Sequence, residues 1–92
     1  MDTLDGLKPR KSAVVIKVAA NREFAEKYKY MGIVPGTVVF MLKNSPFKKH
    51  VEITLRGYVL RITKKDAGKI EILKTSSKHA FLPLKFFKIY WL

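Results

Sequence analysis

Two histidines, at positions 50 and 79, are the residues best suited to bind a metal ion. His50 and Glu52 alternate with apolar residues, so their side chains share one face of a strand and could supply two ligands. A structural zinc site commonly needs four ligands, and the chain has no cysteine to complete such a set. We therefore interpret the pair as part of a solvated polar strand face and predict that no metal is bound.

The residues needed for other catalytic chemistry are scattered. The seven Asp and Glu residues form no close pair for general acid–base catalysis. Asp66 precedes Ala67-Gly68 and is expected to cap a turn. Gly32 and Gly36 do not form a phosphate-binding loop, because Pro35 interrupts them and both glycines suit backbone turns. We conclude that the chain is not an enzyme and has no cofactor.

Basic residues dominate the charge, which is +12 at neutral pH. Such a field favours polyanions or an anionic membrane surface. The basic residues are spread along the chain and few are arginine, the usual choice for bidentate phosphate contacts. A solvated, lysine-rich surface is therefore the preferred interpretation.

Aromatic and basic residues interleave twice, in residues 28–30 and in residues 47–49. Stacking platforms for single-stranded nucleic acid have this composition, but small barrels also use surface aromatics to bind proteins. Tyr28 is expected to pack on the core while Tyr30 stays at the surface. Phe47 and Lys48 are therefore our candidate partner-binding residues in this part of the chain.

A helix end, a tight turn and a strand start follow one another in residues 30–39. Gly32 suits the position after a helix C-terminus, where positive φ is needed. Pro35-Gly36 predicts a type II turn with Gly at the position that requires positive φ. Upstream, Asn21 is a good N-cap for the helix. The segment predicts one short helix between the first two strands of a β domain.

The ninety-two residues predict a single domain that is mainly β. Five short segments have the β-branched, alternating character of strands, and a helical turn is expected at 64–68. Tight connections between the strands suggest a small antiparallel barrel, which would remove exposed edges. The predicted strands are 13–18, 37–43, 50–56, 58–62 and 69–73.

A strongly apolar tail follows the predicted barrel, which we bound at residues 1–73. Residues 74–92 form this extension, and 75–78 have the composition of a linker. We expect the tail to make an apolar contact with its own barrel, with another copy or with a partner. Its candidate contact residues are Phe86, Phe87, Tyr90 and Trp91.

The order of these pieces resembles the FeoA family, ferrous iron transport protein A. The resemblance covers about residues 1–73, and the extension is longer than most members have. The matching stretches are Leu4 with Gly6-Leu7-Lys8-Pro9, Met31-Gly32-Ile33-Val34-Pro35-Gly36, Ser45-Pro46, Gly57-Tyr58-Val59-Leu60-Arg61 and Ala67-Gly68-Lys69-Ile70-Glu71-Ile72.

The resemblance implies an SH3-like barrel and an accessory role beside a membrane ferrous iron transporter that carries a cytoplasmic GTP-binding domain. A homo-oligomer formed through the tail is a further expectation. The start of the chain is acidic and no apolar run is long enough to span a bilayer, so we expect a cytoplasmic protein, at the inner face of the membrane when docked. Two alternatives stay open: a small basic nucleic-acid-binding barrel, and the regulatory domain of a metal-dependent repressor.

Overall fold

The computed structural model describes residues 2–19 and 21–75. A 3₁₀ helix at Leu4–Gly6 precedes five strands and two α-helices, and α1 lies in the connection between β1 and β2. The elements are β1 (Ser12–Val18), α1 (Arg22–Tyr30), β2 (Val38–Lys43), β3 (His50–Leu55), β4 (Tyr58–Thr63), α2 (Lys64–Ala67) and β5 (Ile70–Lys74).

Helix α1 and the turn after it have the predicted capping groups. The Asn21 side chain accepts a hydrogen bond from the Phe24 N–H at 2.9 Å, which satisfies one of the unpaired donors of the first turn. Gly32 follows the helix at φ +91° and Gly36 lies at φ +94°. The Thr37 N–H donates to the Val34 carbonyl at 3.0 Å and closes the turn around Pro35-Gly36. The predicted helix end and turn are confirmed.

The five strands form one antiparallel sheet in the order β4-β3-β2-β1-β5. A two-residue hairpin joins β3 to β4, with Arg56 at φ +47° and Gly57 at φ +86°. Positive φ at both positions matches the twist of a hairpin, so the tight connection predicted between the third and fourth strands is confirmed. Irregularities in register follow Val15 in β1 and Met41 in β2.

The predicted closed barrel is wrong in one respect, because in the part of the chain that the structure describes no ladder joins β4 to β5. The outer edge of β5 pairs instead with the start of the chain. The Ile72 N–H donates to the Asp2 carbonyl at 3.0 Å, and Thr3 bridges to Glu71. The N-terminal segment therefore takes the hydrogen-bonding groups that a closed barrel would have given to β4.

The core lies on one face of the sheet. Val51, Ile53 and Leu55 alternate along β3 and are all buried, as the sequence predicts. The N-terminal segment contributes Leu4 and Leu7, which have no exposed surface. The chain thus closes its core with packed side chains where the sheet itself stays open.

Candidate interaction surface

The β2–β3 loop, residues 44–49, is fixed from outside by two other segments. The Asn44 side-chain amide donates to the backbone carbonyls of Asp5 at 2.9 Å and Leu7 at 2.8 Å. On the other side, the Lys64 N–H donates to the Lys49 carbonyl at 2.8 Å, and the Lys64 ammonium donates to the Ser45 carbonyl. The loop is therefore held between the N-terminal segment and α2.

Phe47 stands at the tip of this loop with 92% of its surface exposed. Its N–H donates to the Ser45 hydroxyl at 3.4 Å, and the Lys48 N–H donates to the Ser45 carbonyl at 3.2 Å. These bonds form a local turn around Pro46, so the backbone that carries the ring is ordered before any partner binds. An apolar ring presented in this way is a candidate binding anchor.

An open cleft of about 610 Å³ lies beside the loop on the outer surface of the sheet. Strands β2, β3 and β4 supply most of its walls, and the N-terminal segment adds Pro9. The lining residues are Pro9, Leu42, Lys43, Asn44, Ser45, Lys48, His50, Glu52 and Arg61.

The charged groups of the cleft are mostly basic. Lys43, Lys48 and Arg61 face one carboxylate, Glu52. Glu52 is paired in register with Arg61 on β4 and with Lys43 on β2. The ion pairs found within residues 2–19 and 21–75, with nitrogen–oxygen distances of up to 4.0 Å, lie elsewhere on the molecule. None of them involves these four side chains. The cleft consequently offers cations that are available to an acidic partner.

The family of the chain follows from its sequence and its fold together. A statistical model of the FeoA domain matches residues 3–74. The chain belongs to the FeoA family. FeoA domains are small accessory domains associated with ferrous iron transport. Among curated proteins, none matches the sequence.

Solved FeoA structures share the fold. The FeoA-like protein of Clostridium acetobutylicum is 26% identical, with a TM-score of 0.72 over 80% of this chain and 86% of that one. An iron uptake regulatory protein (FeoA) is 23% identical, with a TM-score of 0.75 over 80% of this chain and 97% of that one.

A third solved structure supplies the name of the fold. The FeoA of Stenotrophomonas maltophilia, solved in complex with zinc, is an SH3 domain protein; it is 23% identical, with a TM-score of 0.70 over 79% of this chain and 91% of that one. This FeoA chain thus has the SH3-like architecture expected from the resemblance, with the sheet left open. None of the helices described for residues 2–19 and 21–75 is long and apolar enough to cross a bilayer.

His50 and Glu52, the pair considered for metal binding, both line the cleft and are half-buried. The rest of the cleft wall is basic, neutral polar or apolar and contains no further carboxylate. No group of three or more His, Cys, Asp or Glu side chains comes together in residues 2–19 and 21–75. The structure therefore brings the predicted pair together but adds no third ligand from the described residues.

Asp66 does not cap a turn with its side chain, contrary to the sequence prediction. The Thr63 hydroxyl is the cap of α2, since it accepts from the Asp66 N–H at 3.1 Å. The Asp66 carboxylate instead accepts from the Tyr28 hydroxyl at 2.5 Å and lies 3.9 Å from the Lys27 ammonium. The N–H groups that follow Asp66 already donate to backbone carbonyls, Gly68 to Lys64 and Lys69 to Asp66, which leaves the Asp66 carboxylate free to join α2 to α1.

Burial is the main cause that raises the pKa of the Tyr28 hydroxyl well above its usual value. The hydrogen bond to Asp66 and the charge of that carboxylate add to the effect. Tyr28 is buried in the core as expected, and Tyr30 is 88% exposed. The Tyr28 hydroxyl therefore serves the packing of two helices and is not part of a binding surface.

The two interleaved aromatic and basic segments lie at opposite ends of the β3–β4 hairpin. Phe47 precedes the start of β3, whereas the Tyr58 hydroxyl, at the start of β4, donates to the Met31 carbonyl beside Tyr30. Six-residue strands separate the two ends by roughly 20 Å. The segments therefore cannot act as one continuous stacking platform.

The structure places Phe47 and Lys48 on the loop beside the cleft. The other predicted contact residues lie outside the described residues; they are Phe86, Phe87, Tyr90 and Trp91. Sequence reasoning missed Lys43 and Arg61. Both residues lie in the cleft because β2 and β4 pair with β3 on either side of Glu52. The one sequence signal that could have indicated this position was the alternation of polar and apolar residues in β3 around Glu52.

Proposed function

We propose that this chain is a non-enzymatic accessory protein of ferrous iron uptake that docks on the cytoplasmic GTP-binding region of a membrane iron transporter. Membership of the FeoA family supports the pathway. The proposed docking surface rests on one observation: the Phe47 ring is almost fully exposed on a loop that hydrogen bonds fix to two other segments.

Phe47 would act as the anchor of the contact. A few buried aromatic residues usually supply most of the binding energy of a protein interface. Because Asn44 and Lys64 already hold the loop in place, little ordering cost is paid when the ring enters a pocket of the partner. Lys48, next to the ring and on the rim of the cleft, would orient the contact.

The cleft would receive acidic side chains of the partner. Lys43 and Arg61 make no ion pair with described residues, so each can face a carboxylate across the interface. Charges at the rim of an interface mainly raise the association rate and select the orientation. Docking would therefore depend moderately on salt and strongly on the Phe47 ring.

Binding of the purified GTP-binding region of the transporter tests this proposal. We expect Phe47→Ser to weaken binding at least about tenfold, as for a typical anchor residue. Tyr30→Ser is the matched control, because Tyr30 is an equally exposed aromatic at the other end of the hairpin. Calorimetry at two salt concentrations gives the affinity and its salt dependence.

Equal affinities for the wild type and Phe47→Ser would contradict the proposed anchor. If the protein bound single-stranded RNA or DNA instead, with an affinity that fell steeply with salt, counterion release would identify a nucleic-acid-binding barrel and the transporter proposal would be wrong.

A further inference from the structure

The outward side of the sheet carries a band of apolar side chains on β1, β2, β4 and β5, interrupted at β3 by Thr54. Cross-strand partners share a face of a sheet, so the registers assign its members directly. Val38, Val14 and Leu73 form one row across β2, β1 and β5. Val59 and Phe40 belong to the next row, with Thr54 between them and Ser12 beyond. We call Val14, Val38, Phe40, Val59 and Leu73 the outer band.

The outer band is only partly protected from water. Val59 is 56% exposed and Leu73 is 61% exposed, at the two edge strands, while Val14, Val38 and Phe40 in the middle are half-buried. Val14, Val38, Phe40 and Leu73 occupy adjacent positions on neighbouring strands and form one continuous apolar patch, and Val59 lies beyond Thr54. Burying this surface under other apolar side chains would be favourable, because it removes apolar area from water.

The chain itself leaves the sheet next to this band. The Thr75 N–H donates to the Ser12 carbonyl at 3.1 Å, so the last described residue lies beside the row that contains Phe40. The FeoA domain match ends at residue 74. Beyond Thr75 the sequence is rich in large apolar residues, namely Phe81, Leu82, Leu84, Phe86, Phe87, Ile89, Tyr90, Trp91 and Leu92.

We propose that residues 76–92 dock on the outer band of their own sheet. Five strands are about 19 Å wide from β5 to β4, and seventeen residues could span up to about 56 Å, so the length is ample even if the segment is not extended. The attachment at Thr75 gives the segment a high effective concentration at this face, which favours its own chain over a second copy.

The test uses two properties of the sequence: the chain has no cysteine and only one tryptophan, Trp91. A bimane dye attached to Val59→Cys in the full chain is quenched when tryptophan contacts it. We expect the emission to rise roughly twofold or more when Trp91 is changed to Phe, the rise that corresponds to a docked state at least half populated. Leu73→Cys is a second labelling site on the same band.

Phe47→Cys provides the matched control, because Phe47 is exposed but precedes the start of β3, whereas Val59 pairs with Thr54 near the end of that strand. Its dye emission should not change when Trp91 is replaced. Equal quenching at Val59→Cys and Phe47→Cys, or none at Val59→Cys and Leu73→Cys, would overturn the proposal.

Mixing separates the chain's own segment from that of a second copy. Labelled Val59→Cys protein is mixed with a large excess of unlabelled Trp91→Phe protein. If the segment docks within its own chain, the quenching persists. If the excess chain relieves the quenching, the segment comes from a neighbouring molecule and the proposal is wrong.

Discussion

The two connections that flank β2 are both tight, but they present opposite surfaces. In the α1–β2 turn, Ile33 and Thr37 are buried, and the Thr37 hydroxyl donates to the Gly32 carbonyl at 2.8 Å. In the β2–β3 loop, Asn44 bonds to distant backbone and Phe47 points outward. The first connection builds the core and the second builds a surface.

The hydrogen bonds of the two connections explain this difference. The α1–β2 turn combines local bonds, such as the 3.0 Å bond from Thr37 to Val34, with a backbone bond from the Gly36 N–H to the Val15 carbonyl of β1 at 2.7 Å. The β2–β3 loop is held instead by side-chain donors, from Asn44 to the carbonyls of Asp5 and Leu7 and from Lys64 to the loop's own Ser45 carbonyl. External support lets a loop keep an apolar ring in water without collapsing onto it, which is what a preformed binding site requires.

The largest expected effect on stability comes from straining the backbone of the α1–β2 turn. Gly36 lies at φ +94° with open space where a Cβ would be, so the expected cost of Gly36→Val comes from forcing a β-branched residue into a disfavoured backbone conformation. We expect a loss of about 1–3 kcal/mol of unfolding free energy, measured by denaturant titration. The molecules that remain folded should bind the transporter as tightly as the wild type does.

Gly6→Val is the control for that experiment. Gly6 also has open space where a Cβ would be, but its φ is not positive. We expect its unfolding free energy to change by less than about 1 kcal/mol. If both variants lost the same stability, backbone conformation would not be the reason for glycine at position 36.

Removing the external support of the β2–β3 loop should have a somewhat smaller effect. Asn44→Ala deletes the donors to Asp5 and Leu7, and we expect a loss of about 1–2 kcal/mol. Transporter binding should weaken as well, because the loop would then have to be ordered on docking. Asn44→Asp keeps the shape of the side chain and removes the donors, so it should be no better than Asn44→Ala; full binding by either variant would show that support is not needed.

The smallest expected effect concerns the helix that leads into the α1–β2 turn. Tyr28→Phe removes the hydroxyl that donates to Asp66 and should cost about 1 kcal/mol at neutral pH. Because the pKa of Tyr28 is raised by folding, its contribution is fully present below about pH 10, the unfolded value, and is lost as the pH rises further.

The difference in unfolding free energy between wild type and Tyr28→Phe should therefore shrink above about pH 10. Tyr30→Phe, at an exposed tyrosine, controls for the loss of a phenol in general. A difference that stayed constant with pH would mean that the Tyr28 hydroxyl does not titrate in the way its burial requires.

Local features of the sequence predicted most of the fold. The Pro35-Gly36 turn and the alternation in β3 could be identified without a structure, because backbone sterics and a two-residue period act within a few residues. Closure of the barrel could not be predicted, because it depends on competition for the edge of β5. The carbonyl of Asp2, seventy positions away from Ile72, occupies that edge in place of β4.

The sequence by itself determined that this is a small, basic β domain of the FeoA family, and it indicated Phe47 and Lys48. Only the tertiary structure decided that Phe47 stands on a fixed loop beside Lys43 and Arg61, and that Asp66 joins two helices and does not cap one. These placements depend on strand register and on hydrogen bonds between segments distant in the chain. A pattern within a few residues carries no information about which distant partner a side chain will meet.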